Sequence, residues 1–379
     1  MTPFVFNTAS SLHFGAGKIT ELGEMARTQM GERVMLISDP GLSKLGIVGR
    51  VTEILEKAGI SVSVFADVQA DPPESVIEAA VAAAKELDVQ GIVGLGGGSS
   101  LDVAKLVAVL ALGQETLVEM FGVGNTKGPR LPLILVPTTS GTGSEVTMVS
   151  IVTTGKSEKM GVVSPVILPD VALLDPELTY GLPPHITAAT GIDAMVHAIE
   201  ALLVPGFHPL CDGAALEGLR LVSKWLPTAV HEPSNLAARG GMLVGSCLAG
   251  IAFLKGLGMV HAISHMVGAE FDTQHGLTNA IILPVVLRFN LPGLESQVAR
   301  MAKVMNLKDD SVDSFIAEIE GMLDGINIPK SLKEIDVPSE CAQRIAEKAI
   351  LDSAAGTNPR QATVEEIRVL VETAIEKAR

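Results

Sequence analysis

Three of the eight histidines, His261, His265 and His275, fall in one apolar, small-residue-rich stretch from Gly258 to Pro284. A buried imidazole needs a partner, and a metal ion is a common one. His261 and His265 are four residues apart, on one face if the stretch is helical. His275 follows a break at Asp272-Thr273-Gln274 and precedes Gly276, so it can point back from a loop. Upstream, Asp193 and His197 are also four apart, which sets a carboxylate beside an imidazole on a face flanked by Ile192, Met195, Val196 and Ile199. One acid near several imidazoles in apolar surroundings is a poor way to stabilise a core and a good way to hold a divalent cation. Asp193, His197, His261 and His275 would supply one oxygen and three nitrogens, with room left for substrate. The alternative is a structural Asp193–His197 hydrogen bond on one helix and unrelated, satisfied core histidines on another.

Two further loops could bind a ligand. Gly96-Gly97-Gly98-Ser99-Ser100-Leu101-Asp102 follows an apolar run and leads into a helix. Consecutive glycines let backbone approach a phosphate, and the free N–H groups of a helix start can donate to it. The turn is not GxGxxG, and a capped helix with a tight turn is the plainer reading. Pro137-Thr138-Thr139-Ser140-Gly141-Thr142-Gly143-Ser144-Glu145 concentrates hydroxyl and amide donors suited to phosphate or a nicotinamide ribose, or it is a hydroxyl-rich hairpin loop without a ligand.

The elements that would carry these residues fall into two halves. Strand-like runs at 33–38, 62–65, 91–95 and 133–136 alternate with helical segments at 45–58 and 75–87, the pattern of a parallel sheet covered by helices. Past a hinge-like Leu182-Pro183-Pro184-His185 the texture is helical, with segments over 187–203, 212–226, 236–254, 260–270, 294–305, 311–323, 339–351 and 364–377. The expected domains are therefore 1–182, α/β, and 183–379, all-helical and carrying the metal. A crevice between them is the expected place for cofactor and metal to face each other.

Composition narrows the function classes. Hydrophobic residues make up 47% and charged residues 19%, which describes a globular protein. The mean hydropathy of +0.40 prompts a membrane check, but the most apolar region, Gly241 to Leu254, is shorter than a spanning helix. A net charge of −15 and few aromatics argue against nucleic acid. Three widely spaced cysteines, Cys211, Cys247 and Cys341, form no disulfide framework, and the N-terminus lacks a secretory pattern. A cytoplasmic enzyme is expected.

Specific motifs then accumulate: Phe14-Gly15-Ala16-Gly17, the GGGSSLD turn, PTTSGTGSEVT, Ile167-Leu168-Pro169-Asp170 with Asp175-Pro176, the segment from Ala189 through Asp193 to Glu200, HAISH with Gln274-His275-Gly276, and Thr357-Asn358-Pro359-Arg360. With these the chain resembles the iron-containing (group III) alcohol dehydrogenases nearly end to end. The resemblance implies a Rossmann-like, parallel-sheet dinucleotide-binding domain and an all-α domain, the dehydroquinate synthase-like architecture. It also implies Asp193, His197, His261 and His275 as Fe2+ ligands and His265 as a neighbour near the nicotinamide; by position His265 is a candidate proton relay, and because zinc binds such donors more tightly than ferrous iron a purified sample can carry zinc, nickel or nothing. Catalysis would rest on His265, Asp193 and His261. Cofactor contacts carry over to Gly97, Gly98, Ser99, Thr138, Thr139, Thr142, Thr147 and Lys159. Asp39 falls where the family places an acid near the adenosine ribose, which favours NAD over NADP because a carboxylate repels a 2′-phosphate. Retaining His197 separates the chain from the three-ligand zinc relatives, the glycerol dehydrogenases and dehydroquinate synthases.

The implied reaction is hydride transfer between a nicotinamide and a small alcohol or aldehyde, in a homodimer or larger homo-oligomer. Lys255 stands where many relatives carry a small or uncharged polar residue. Either it faces an acidic group on the substrate, with Phe253 as a neighbouring contact, or it is an ordinary solvated or salt-bridged lysine at a helix end. Rival readings are maleylacetate reductase-like or dehydroquinate synthase-like chemistry on the same fold, and a non-catalytic subunit that binds nucleotide and metal.

Overall fold

In the computed structural model, which describes residues 3–155 and 159–379, the chain divides into two compact units, residues 7–182 and Pro183–Arg379. Phe4 and Phe6 belong with the second, where both lie against the His208 ring.

The first unit contains strands β1 (Ser11–Phe14), β2 (Arg33–Ile37), β3 (Ser61–Phe65), β4 (Gly91–Gly96), β5 (Gly122–Val123), β6 (Leu133–Pro137), β7 (Val149–Thr153), β8 (Lys159–Val163) and β9 (Val171–Leu174). Its helices are α1 (Leu22–Met30), α2 (Pro40–Lys44), α3 (Ile47–Lys57), α4 (Glu74–Glu86), α5 (Gly98–Leu110) and α6 (Leu117–Met120). Six strands pair in parallel in the order β1-β9-β6-β4-β2-β3. β4 and β6 are buried along their whole length, as continuous apolar strands between two helical layers must be. Edge strand β1 alternates instead, leaving Leu12 and Phe14 exposed. A three-stranded sheet, β5-β8-β7, accompanies the main one. The sequence pattern does not announce it, because its strands are short and only half-buried.

Register places the candidate loops together. Ile37 pairs with Gly94, and Gly96 with Pro137, so the chain leaves β2, β4 and β6 at neighbouring points on the carboxyl edge of the sheet. Asp39, the glycine turn and the threonine-rich loop are those three exits. Gly96 has φ 152°, a conformation that side chains rarely adopt.

The second unit is helical: α7 (Pro184–Leu203), α8 (Pro209–His231), α9 (Leu236–Ala252), α10 (Met259–Phe271), α11 (His275–Asn290), α12 (Glu295–Val304), α13 (Val312–Gly325), α14 (Ala342–Ala349), α15 (Ser353–Thr357) and α16 (Val364–Lys377). α7 is apolar nearly all round and runs through the middle of this core, packed by α8, α9 and α11. Two stretches here, Pro184–Leu203 and Leu236–Lys255, are long and apolar enough to cross a bilayer by length and composition, and 89% and 61% of the apolar 18-residue window in each is buried inside the fold. The expectation that no segment reaches that length is thus corrected; core burial explains the hydropathy. α11 is a second correction. His275 is the first residue of this helix and does not sit on a loop, and Gln274 caps it by accepting from the Leu277 N–H. Periodicity misses α11 because it is buried on every side and contains Pro284.

Beneath the glycine turn and the threonine-rich loop lies a buried charge network. The Lys105 ammonium, without solvent exposure, donates to Ser144 Oγ at 2.7 Å, Val149 O at 2.8 Å and Thr147 Oγ1 at 3.3 Å. Asp102, one turn earlier on α5, accepts from Ser144 Oγ and from the Ile151 N–H. These bonds tie the threonine-rich loop to the helix that begins at the glycine turn. Burial holds the Lys105 pKa below its usual value despite Asp102. The same burial pushes the neighbouring Glu145 carboxyl up to about 7. A carboxyl whose folded pKa is raised binds its proton more tightly when folded, so its contribution to stability falls as pH rises from about 4.5 to 7. Glu145→Gln should therefore gain stability over the wild type as pH increases from 5 to 8, by up to about 3 kcal/mol. Thermal melts of both proteins across that range test this; a difference independent of pH would show that Glu145 is ionised throughout.

Candidate metal centre and nucleotide loops

α7 presents Asp193 and His197 one turn apart, and α10 and α11 bring in His261 and His275. The three Nε2 atoms lie 3.8 Å (His197), 3.7 Å (His261) and 3.5 Å (His275) from one atom, Asp193 Oδ1. Asp193, His261 and His275 offer ligand atoms all within 4.8 Å of one another, and the His197 ring stacks on His261 with centroids 4.8 Å apart. Those oxygen–nitrogen separations exceed hydrogen-bond length. They match two donors each about 2.1 Å from a shared tetrahedral cation, which stand about 3.4 Å apart. The surroundings also favour a positive guest. Asn279 Nδ2 lies 2.8 Å from Asp193 Oδ1, 3.1 Å from His275 Nε2 and 3.2 Å from His261 Nε2, so these three atoms all face one point, while among the described residues its buried Oδ1 accepts no hydrogen bond. Burial opposes charge on His261, but the Asp193 and Glu200 carboxylates outweigh it and push the imidazole pKa up to about 9. The donor set therefore fits a divalent metal ion.

How the cluster is held is visible in the residues around it. Glu200 Oε2 lies 2.6 Å from His261 Nδ1, so in the neutral ring that a cation needs the proton belongs on that nitrogen and the lone pair on Nε2. The start of α10 has no cap of its own. Glu200 accepts from the Gly258 and Val260 N–H groups, and Asn358 Oδ1 from that of Met259. Gly258 must lack a Cβ for this, since one would sit 2.7 Å from Glu200 Oε1 and 3.0 Å from Asn358 Oδ1. Gly276 serves the same purpose between α11 and α7, where a Cβ would fall 2.3 Å from the Ala189 carbonyl oxygen.

His265 stands beside the cluster, its ring stacked on His275 at 5.5 Å. Its Nδ1 lies 2.9 Å from Asp352 Oδ2, while Asp352 Oδ1 caps α15. Burial would raise the Asp352 pKa, but the His265 contact holds that carboxyl below its usual range. Phe253 lies 5.2 Å from the His197 ring. Lys255 Nζ donates to Asp212 Oδ1 at 2.7 Å in a largely buried pair, the salt-bridged alternative of the two. Sequence reasoning missed the roles of Glu200, Asn279 and Asp352. Glu200 and Asn279 carry a signal, being three and four residues past a histidine of the cluster on the same helix. Asp352 is 87 residues from His265 and carries none.

In the first unit, Gly97 precedes α5 and no side chain caps that helix, so its first N–H groups are open. A Cβ on Gly98 would fall 2.8 Å from Thr142 Cγ2, and one on Gly97 3.4 Å from Thr139 Cγ2, so the two loops pack against each other through these glycines. Ser99 lies in the first turn of α5. Thr138 donates its N–H to Gly96 O, Thr142 Oγ1 accepts from the Ser144 N–H, and Thr147 Oγ1 is held by Lys105. The buried Ser140 hydroxyl has no hydrogen-bond partner among the described residues. Asp39 caps α2 through the Leu42 N–H at 3.0 Å and lies beside Gly96. Lys159 donates to Asp71 at 2.8 Å. An uncapped helix start beside hydroxyls and an acid suits the pyrophosphate and ribose of a dinucleotide.

The family model for iron-containing alcohol dehydrogenases matches residues 9–176, and that for the C-terminal part of the Fe-containing family matches residues 187–375. The chain belongs to the iron-containing alcohol dehydrogenase family. As a member it is an oxidoreductase that acts on a carbon–hydroxyl group. Over 383 residues the chain is 32% identical to the NAD-dependent methanol dehydrogenase of Bacillus methanolicus, covering 99% of this chain and 100% of that one. It is 34% identical over 374 residues to the 4-hydroxybutyrate dehydrogenase of Cupriavidus necator, covering 95% and 97%. Its fold matches the crystal structure of a 1,3-propanediol oxidoreductase with a TM-score of 0.95 at 34% identity, over 99% and 100% of the two chains.

Gly276 offers a test of the centre that leaves every ligand in place. Gly276→Ala should force α11 away from α7 and separate His275 from Asp193, lowering metal affinity by at least about tenfold and stability by about 1–3 kcal/mol. Metal titration with a thermal melt of the same sample measures both; an unchanged affinity would mean that the helices absorb the methyl without moving His275.

Proposed function

We propose that the chain uses iron(II) and NAD to interconvert a small alcohol and its aldehyde, with Asp193, His197, His261 and His275 as the metal ligands. One observation carries the reading: three imidazole Nε2 atoms gathered 3.5–3.8 Å from a single buried carboxylate oxygen. Zinc generally outcompetes iron(II) for nitrogen and oxygen donors, so a purified sample can hold zinc or nickel instead. When bound, the cation supplies Lewis acidity toward a hydroxyl and the nicotinamide supplies the hydride acceptor.

The chain's own residues bind, orient and move a proton. Gly97, Gly98 and Ser99 would receive the pyrophosphate at the open start of α5, with Thr138, Thr139, Thr142, Thr147 and Lys159 along the rest of the cofactor. Asp39 accepts from a ribose 2′-hydroxyl and repels a 2′-phosphate, which favours NAD. His265, with its Nδ1 committed to Asp352, has Nε2 left to take the hydroxyl proton and pass it toward solvent. Phe253 and Lys255 are the candidate substrate contacts. Because Lys255 is paired with Asp212, an acidic substrate group would engage it only by exchange with that carboxylate; the relative named for 4-hydroxybutyrate makes such a substrate worth testing. Free thiols at all three cysteines support a cytoplasmic location, and the exposed Leu12 and Phe14 on edge strand β1 support a homo-oligomer.

Asp193→Ala should abolish alcohol oxidation, by at least about a thousandfold, while NAD binding measured by calorimetry stays within about twofold of the wild type. Full activity in metal-stripped wild type would refute the metal reading. Asp39→Asn removes the charge and keeps an oxygen to cap α2. It should shift the NAD-to-NADP ratio of kcat/KM toward NADP by at least about tenfold, and an unchanged ratio would remove Asp39 from cofactor choice.

A further inference from the structure

The geometry points to Glu200 as the positioning residue of the metal centre, a carboxylate that touches no reacting atom but decides which nitrogen of His261 carries the proton. The inference rests on the metal site proposed above. Glu200 lies on the last turns of α7, 3% exposed, and faces three donors. Oε2 is 2.6 Å from His261 Nδ1 and 2.9 Å from the Gly258 N–H; Oε1 is 2.8 Å from the Val260 N–H. Two of these are backbone amides at the start of a 13-residue helix, so the acid is anchored by groups that can only donate and by the positive end of the helix. An ionised carboxylate can only accept, so the proton of a neutral His261 belongs on Nδ1. Nε2 then keeps its lone pair, and that atom faces Asp193. Without the acceptor the neutral ring is free to carry its proton on Nε2, which closes the nitrogen to a cation.

A plain helix-capping role is the competing account, and Asn358 separates the two. It caps the same helix start through the Met259 N–H at 3.0 Å and has no bond to the His261 ring. Glu200→Ala should weaken Co2+ binding by about 10–100-fold, as lost outer carboxylate partners do. Asn358→Ala should lower the melting temperature yet bind Co2+ within about threefold of the wild type. Glu200→Gln, with one oxygen to share among three donors, should fall between Glu200→Ala and the wild type. Co2+ titration followed by its visible absorption measures all three, with circular dichroism reporting the fold.

A second measurement needs no variant. In Zn2+-loaded wild type with 15N-labelled histidine, His261 should show its proton on Nδ1 and its metal on Nε2. Co2+ affinity of Glu200→Ala within about threefold of the wild type, equal losses in Glu200→Ala and Asn358→Ala, or zinc on Nδ1 would each overturn the assignment. Wild type that binds neither Co2+ nor Zn2+ would instead overturn the metal site itself, and this inference with it.

Discussion

A carboxylate 2% exposed in an apolar helical core stays ionised only where donors and positive charge converge on it, and the helical unit is arranged to meet that demand at Asp193. Burial alone would drive the Asp193 pKa up. The imidazoles of His197, His275 and His261 outweigh burial and hold the carboxyl well below its usual range. Asn279 adds a direct hydrogen bond. Three basic rings and an amide around one acid would be an expensive way to satisfy a structural aspartate. As the interior of a cation site, the same groups are all employed.

Convergence at this distance requires backbones to approach closely, and small residues permit it. Gly276 brings α11 against α7 at the point where His275 must reach Asp193. Gly258 lets one carboxylate and one amide from remote parts of the chain close the start of α10. That start is the turn before His261, and of its two capping side chains Glu200 also meets the imidazole. The Thr357-Asn358-Pro359-Arg360 motif acquires a physical role here: the Thr357 hydroxyl bonds the Leu257 carbonyl, and Asn358 bonds Met259 and Asn290.

The α/β unit solves a different problem. Its candidate nucleotide loops leave the sheet at three adjacent strands, and loops without regular structure need something to hold their shape. The buried Lys105 and Asp102 perform that task from below, bonding the threonine-rich loop from the helix that starts at the glycine turn. Gly97 and Gly98 allow Thr139 and Thr142 to lie directly over that turn. Buried charges this well hydrogen-bonded add little net stability but penalise alternative loop arrangements.

Much of this was readable from residue order because helices and parallel strands have fixed periods. Pairs four apart placed Asp193 beside His197 on α7, and alternating strand and helix signals announced the parallel sheet. Periodicity failed where an element is buried all round, as in α11, or too short to show a period, as in the three-stranded sheet. The His261–Glu200 and His265–Asp352 contacts, across 61 and 87 residues, were beyond it, as was the pairing of Lys255 with Asp212. Residue order alone thus determined the architecture of each half and the chemical types available for a site, since local spacing governs which side chains share a face. Only the tertiary structure decided which distant groups meet, which nitrogen of a ring is free and which charge is already answered, because those depend on packing between segments that carry no mark of one another.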